Sequence, residues 1–367
     1  MKQSKIMSLQ YLRTFAFLGI FFRHTGSEYG ISTGAWGVSV FLILSGFLMS
    51  INYHSRDLGA TSLSSLIRFG YRKISKLYFL HIVTLVAVLP FFLKEVFSLV
   101  GLDRIMSLCT ILTNALLLQT WNCNEYLGTS INASWYLSTI LLCYILTPLF
   151  LKLLKKIRPS YIISCLCIVG LFFLQSMICF GLYCLVENNT ISIDNYKWFV
   201  YFSPYTRWID YFIGMMLGDI YICRSETCAK VILNKGKLLV LGSCVIAILI
   251  NFLSYEFKAN TWWSSSVIYT LSTVLLIFVF ASVKFNGESK TSKGLVHLGD
   301  ISGEAYLIHF VVLRYLDSVL NSVLGNADIH VIVCIKFFLG LVITIILSEV
   351  WRMVKNRIDR RVNKNRS

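Results

Sequence analysis

Residues 7–24 read MSLQYLRTFAFLGIFFRH, an apolar run that carries Arg13 in its middle and ends on His24. Eleven positions at about 100° each bring these two side chains within about 20° of one helical face, some 16 Å apart along the axis. An ionisable group at the centre of a membrane helix costs on the order of 2.5–3.5 kcal/mol or more. Two on one face therefore predict a polar seam turned toward a protein cavity, and histidine adds proton exchange near neutral pH. The alternative is that Arg13 snorkels to the cytoplasmic surface while His24 marks the outer interface. Arg23, about 80° off the shared face, is expected to reach outward.

Composition places this run in a bilayer. The 367 residues are 56% hydrophobic and 14% charged, with a mean hydropathy of +0.69, well outside the range of a soluble domain. Apolar segments of spanning length recur near 7–22, 36–51, 77–96, 134–154, 161–185, 204–222, 238–254, 266–283, 303–321 and 331–350. The expected fold is all-α: one polytopic domain over 1–367 with about ten transmembrane helices. A further apolar stretch, 105–118, is short for a span of about 20 residues and reads as a re-entrant or interfacial helix.

Charge sets the expected orientation. With both termini cytoplasmic, the inner segments, including the basic tail 352–367, hold 25 of the 34 Lys and Arg residues, and the outer loops hold only Lys94, Arg104, Lys197 and Lys258. This follows the positive-inside rule, and an even number of spans is then required. The net charge of +16 reads as topology plus attraction to anionic lipid, and no nucleic-acid partner is expected. The first run lacks a small-residue cleavage site and is expected to be a retained helix. Eleven scattered cysteines show no metal-ligand spacing, so neither a metal nor a Cys123–Cys184 disulfide is expected.

Further motifs extend the pattern of Leu12-Arg13 and His24. They are Gly37-Val38-Ser39-Val40-Phe41-Leu42-Ile43-Leu44-Ser45-Gly46-Phe47, Arg72-Lys73-Ile74-Ser75-Lys76-Leu77-Tyr78, and Trp135-Tyr136-Leu137 with Tyr144 and Pro148. Arg207-Trp208-Ile209-Asp210 with Phe212-Ile213-Gly214 follows, then Leu298-Gly299-Asp300-Ile301-Ser302 with Tyr306-Leu307-Ile308-His309. Together and in this order they resemble the membrane acyltransferase-3 family, whose members include bacterial O-antigen, capsule, exopolysaccharide and Nod-factor O-acyltransferases. The chain departs from that pattern at Ile140, where many members carry glutamate, at Lys73 and Lys76, where arginine is usual, and at Phe79, where proline is common.

The resemblance implies an O-acyltransferase of the cytoplasmic membrane that acylates, most simply by acetylation, a sugar hydroxyl of a cell-surface or lipid-linked glycan. Acyl-CoA, most simply acetyl-CoA, would be the donor substrate, with no permanently bound cofactor. His24 would take the acceptor proton, and Arg13 would position the donor or stabilise developing charge. Arg72, Lys73 and Lys76 stand where an anionic donor would arrive; charge alone is equally met by anchoring to the inner leaflet. Arg207 and Asp210, three apart, can pair across one helical turn, either holding helices together or lining a substrate path. Trp135 reads as an interfacial anchor or part of an acceptor pocket. Ser302, Tyr306 and His309 share one stripe, structural for the first two and open for His309. A polar seam serves a glycan exporter or translocator equally well, and that is the competing function.

The charge asymmetry makes a direct prediction. Reporter fusions after Ser55, Lys156, Ser225, Ser289 and Ser367 should read cytoplasmic, and those after Glu125, Asn188, Asn260 and Asn326 external. A cytoplasmic reading after Glu125 would break the ten-span arrangement.

Overall fold

The computed structural model describes residues 6–26, 30–56, 62–122, 131–157, 161–223, 226–256, 266–283, 289–324 and 328–364, and no strand occurs among them. The helices are α1 (Ser8–His24), α2 (Gly30–Tyr53), α3 (Leu63–Ser98), α4 (Gly101–Ala115), α5 (Trp135–Ile157), α6 (Tyr161–Glu187) and α7 (Ile193–Lys197). After α7, a π-helical turn over Trp198–Phe202 leads into α8 (Pro204–Cys223). α9 (Glu226–Glu256), α10 (Val267–Ser282), α11 (Lys290–Val323) and α12 (Ile329–Lys364) complete the bundle. Each of the ten segments expected to span coincides with part or all of one of these helices, to within one residue at either end.

Among the described residues, six helices are long and apolar enough to cross a membrane: those containing Ser32–Tyr53, Leu63–Ser98, Trp135–Lys156, Ile162–Glu187, Lys235–Glu256 and Ile329–Arg360. The other four expected spans are short or carry charge. α1 has 17 residues and α10 has 16, while α8 holds Arg207, Asp210 and Asp219, all buried. The bundle is layered accordingly. In the most apolar window of α2, 78% of residues are buried, against 17% for α9 and 22% for α12. The outer helices turn Phe173 and Met177 of α6, Ile248 and Phe252 of α9, and Phe338 and Ile346 of α12 outward, the apolar surface that a bilayer solvates.

Without a hydrophobic drive between helices in lipid, close packing needs small residues. α2 and α8 meet at Gly46 and Gly214: a Cβ on Gly46 would sit 1.9 Å from the Tyr211 carbonyl oxygen, and one on Gly214 2.0 Å from that of Ile43. α1 meets α11 just as closely, since a Cβ on Gly299 would lie 2.2 Å from the Gln10 carbonyl oxygen. Polar contacts reinforce that seam. Tyr11 hydrogen-bonds Ser292, and Thr14 Oγ1 donates to the Leu295 carbonyl at 2.6 Å.

α3, α11 and α12, with 36, 34 and 36 residues, are each about 50 Å long at 1.5 Å per residue, well beyond a hydrocarbon core of about 30 Å. Their overhangs gather at one end. Lys355 Nζ donates to the Lys76 carbonyl at 2.9 Å, His297 pairs with Glu349 at 2.6 Å, and Phe79 packs on Trp351. The start of α1 and the end of α12 thus share one end of the bundle with the basic start of α3.

The short apolar stretch becomes α4, which turns back along α3 after Gly101 at φ +60°. Its end is pinned at mid-length of α3: Tyr78 donates to the Ala115 carbonyl and His81 Nε2 to that of Asn114, each at 2.9 Å. Cys184 is a free thiol, and Cys123 lies outside the described residues.

Gly46→Ala should destabilise the bundle by about 1–3 kcal/mol or more, because a methyl group there collides with backbone. Gly170, with open space around its Cα, provides the control, since Gly170→Ala should be neutral or stabilising by about 0.5–1 kcal/mol. Thermal unfolding of the detergent-purified protein measures both.

Candidate active site

α1 ends in Arg23 and His24, and Gly34 of α2 lets that last turn approach, because a Cβ there would lie 2.7 Å from Cβ of Arg23. Beside it opens a cavity of about 220 Å³. Ile20, Arg23 and His24 form one wall with Gly34 and Val38; Asn132, Ala133 and Trp135, Tyr201 and Phe202, and Tyr306 and Phe310 form the others. The indole of Trp135 packs 5.1 Å from the Tyr201 ring and 4.8 Å from that of Phe202. Thr139 Oγ1 donates to the Phe202 carbonyl at 2.6 Å, holding the π-helical turn against α5. Tyr306 donates to the Ala133 carbonyl at 2.5 Å, joining α11 to the start of α5. Arg23, expected to reach outward, is exposed and also flanks the cavity.

Two polar groups in this region have directions fixed by their partners. Asn132 Oδ1 accepts the Ser134 backbone N–H at 2.9 Å, which leaves the buried Nδ2 without a partner. His309 Nδ1 lies 2.6 Å from the Tyr306 carbonyl oxygen. A carbonyl only accepts, so this nitrogen carries the proton. The rings of His24 and His309 are 5.0 Å apart.

Arg13 lies three turns below His24, half-buried, with Asp300 and Glu304 of α11 and Tyr136 and Tyr144 of α5 as its electrostatic neighbours. Gly70 of α3 packs on Ile145, the residue after Tyr144. The guanidinium is therefore at the depth of the basic stretch of α3. There Lys73 hydrogen-bonds the Tyr53 hydroxyl, and its ammonium sits 4.2 Å from the Tyr53 ring centre and 5.1 Å from that of Phe69. Arg72 lies 5.7 Å from the Phe69 ring, and Arg56 lies 5.1 Å from that of Tyr53. Arg72 and Lys76 are exposed. This is a basic and aromatic surface at the end of the bundle where the chain begins.

A family model described as an acyltransferase domain, that of the acyltransferase-3 family, matches residues 6–349. The chain belongs to this family. It is also similar to "Acyltransferase MdmB" of Streptomyces mycarofaciens, with 25% identity over 348 residues that cover 88% of this chain and 83% of the relative. No solved structure matches it. The protein is a membrane acyltransferase.

The acyltransferase gathers four of its motifs at the cavity, those of His24, Val38, Trp135 and Tyr306, with His309 directly behind His24. It keeps Arg207 and Asp210 elsewhere. They form a wholly buried ion pair at 3.1 Å, with Arg207 Nη2 donating to Ser39 at 3.1 Å. Asp210 accepts from Gln175 and Thr270, both at 3.1 Å. This network joins α2, α6, α8 and α10, and neither charge lines the cavity. Ile140, in the position of the usual glutamate, is buried among apolar side chains.

Asn132, Tyr201 and Phe202 were not legible as site residues. Tyr201 and Phe202 read as ordinary interfacial aromatics, and only the π-helical turn, a feature frequent at functional sites, singles them out. The sequence also hides a grouping at the other end of α2. His54 Nδ1 lies 3.2 Å from Asp219 Oδ1, and Cys223, one turn beyond Asp219, completes a set of ligand atoms within 4.8 Å of one another. These O, N and S donors are of types that hold zinc. The contact with His54 by itself gives the buried carboxylate a partner.

Proposed function

We propose that this acyltransferase moves an acyl group, most simply acetyl, from acyl-CoA to a sugar hydroxyl of a cell-surface or lipid-linked polysaccharide. The supporting observation is the placement of His24 in the wall of a small cavity lined by aromatic rings and a few fixed polar groups, the form small-ligand sites take. In this reading the protein sits in the cytoplasmic membrane with about ten spans and both termini inside. The donor enters from the basic end of the bundle and the acceptor from the His24 end.

His24 accepts the proton of the acceptor hydroxyl as its oxygen attacks the thioester carbonyl. The new C–O bond forms, the C–S bond breaks, and the proton returns from His24 to the departing CoA thiolate. The separation of about 16 Å along α1 assigns different tasks to the two charged motif residues. Arg13 holds the donor on its way in. Near the reacting carbonyl, the unpartnered Nδ2 of Asn132 is the group placed to donate to the developing oxyanion. Lys73, Lys76 and Arg72 receive the donor's phosphates as positive charges, and the Tyr53 and Phe69 rings offer flat faces beside them.

His24→Ala should lower acyl transfer by about 10²–10⁴-fold while membrane insertion stays normal. The measurement is the O-acetyl content of purified surface glycan per inserted protein. Full acetylation in this variant would overturn the base role, whereas a deletion that strands unmodified glycan inside the cell would favour the exporter.

Replacing Lys73 and Lys76 together with alanine should raise the KM for acetyl-CoA about tenfold or more with kcat little changed, because a charge-assisted contact to phosphate is worth about 1.5–3 kcal/mol. Thiol release by membranes carrying the native acceptor measures this. An unchanged KM in normally inserted protein would return both lysines to anchoring.

A further inference from the structure

The proton of a neutral imidazole can sit on either nitrogen, and a histidine acts as a base only through the nitrogen that lacks it. The cavity does not settle this for His24, since its walls are mainly aromatic. The group behind it does. His309 is wholly buried, its Nδ1 proton is committed to the Tyr306 carbonyl, and its Nε2 is therefore a bare acceptor. That nitrogen has no partner among the described residues, an uncommon condition for a buried polar atom.

Apolar rings and His24 surround it. His309 is wedged between Phe17, with ring centres 6.1 Å apart, and Phe21, at 6.0 Å, while His24 lies nearer at 5.0 Å. Two imidazoles joined by one N–H···N bond of about 2.9 Å hold their ring centres about 5 Å apart. The 5.0 Å between the two ring centres therefore suits such a bond.

Resting on the reading of His24 as the base, we propose that His309 is its positioning residue: Nε2 of His309 accepts the His24 N–H and leaves the other His24 nitrogen bare toward the cavity. His309 touches neither substrate. It acts by selecting one tautomer and one ring orientation, and Tyr306 fixes His309 in turn through its backbone carbonyl. The same helix thus supplies a cavity wall, through Tyr306, and the support of the base.

The test uses full-length protein labelled with ¹⁵N-histidine in lipid bilayers, with His24 assigned among the six histidines by comparison with His24→Ala. Solid-state ¹⁵N spectra should show a single His24 tautomer in the wild type and a mixture in His309→Phe, an apolar replacement suited to the neighbouring phenyl rings. Thiol release from acetyl-CoA by membranes carrying the native acceptor should fall about 10- to 100-fold in kcat, the range seen when a histidine loses its outer partner, with an unchanged KM. His309→Gln, which keeps an acceptor oxygen near Nε2, should recover a single tautomer and most of the rate. An unchanged His24 spectrum in His309→Phe, or equal loss in the Phe and Gln variants, overturns the proposal. Should His24→Ala be inactive while His309→Phe runs at full rate, the positioning role alone fails. Should His24→Ala be active, the base reading fails, and the spectra still report whether the two rings are bonded.

Discussion

Direct contact between helix backbones at a few glycines is the constraint on which the rest of this structure depends. In lipid, tails are as apolar as the side chains they replace, so association rests on dispersion and fit. A Cβ on Gly46 or Gly214 would lie only 1.9 or 2.0 Å from the facing carbonyl oxygen, one on Gly299 2.2 Å from that of Gln10, and one on Gly34 2.7 Å from the side-chain Cβ of Arg23. These contacts draw α1, α2, α8 and α11 into one inner cluster. Only because α2 passes so close to the last turn of α1 does His24 face a cavity bounded by α5 and α11 rather than lipid.

The inner cluster holds its polar groups in contrasting ways. Asp210 has Arg207, Gln175 and Thr270 as partners, a satisfied carboxylate suited to a buried charge pair, since losing one partner of such a pair costs about 3–5 kcal/mol. Around His24, Asn132 Nδ2 and His309 Nε2 are buried and have no partner among the described residues. The first network binds four helices to one another, whereas in the proposed reaction the second pair of atoms would serve the base and its substrate.

The fold was legible because its signals are periodic and local. The ten apolar segments all fall in helices, and the 100° rule placed Arg13 and His24 on one face from residue numbers alone. The overhangs of α3, α11 and α12 were not legible, since charged residues outside the bilayer leave no apolar signature and helical continuity there rests on contacts such as Lys355 with Lys76. The site was half legible. His24 and Trp135 stood out as motif residues, whereas Asn132 and the Tyr201–Phe202 pair reach the cavity only through a chain reversal and a π-helical turn. His309 was visible as a motif member, but its nearness to His24 depends on the packing of α1 against α11, between residues 285 positions apart.

That packing also explains how one helix can serve two ends of a reaction. α1 keeps Arg13 level with the basic stretch of α3 and carries His24 about 16 Å further along the same face. A soluble transferase can bring donor and acceptor into one open cleft, but a membrane enzyme with reactants on opposite sides must let one of them reach through. If acyl-CoA is the donor, as proposed, its extended pantetheine arm is the part suited to that reach, because its charged nucleotide would stay at the basic end while a thin, weakly polar chain enters the bundle. Between Arg13 and His24 the same face of α1 carries Ala16, Phe17 and Ile20, all buried in the core, so the expected polar seam is interrupted by an apolar stretch, and a donor arm reaching from one position to the other would have to pass apolar side chains.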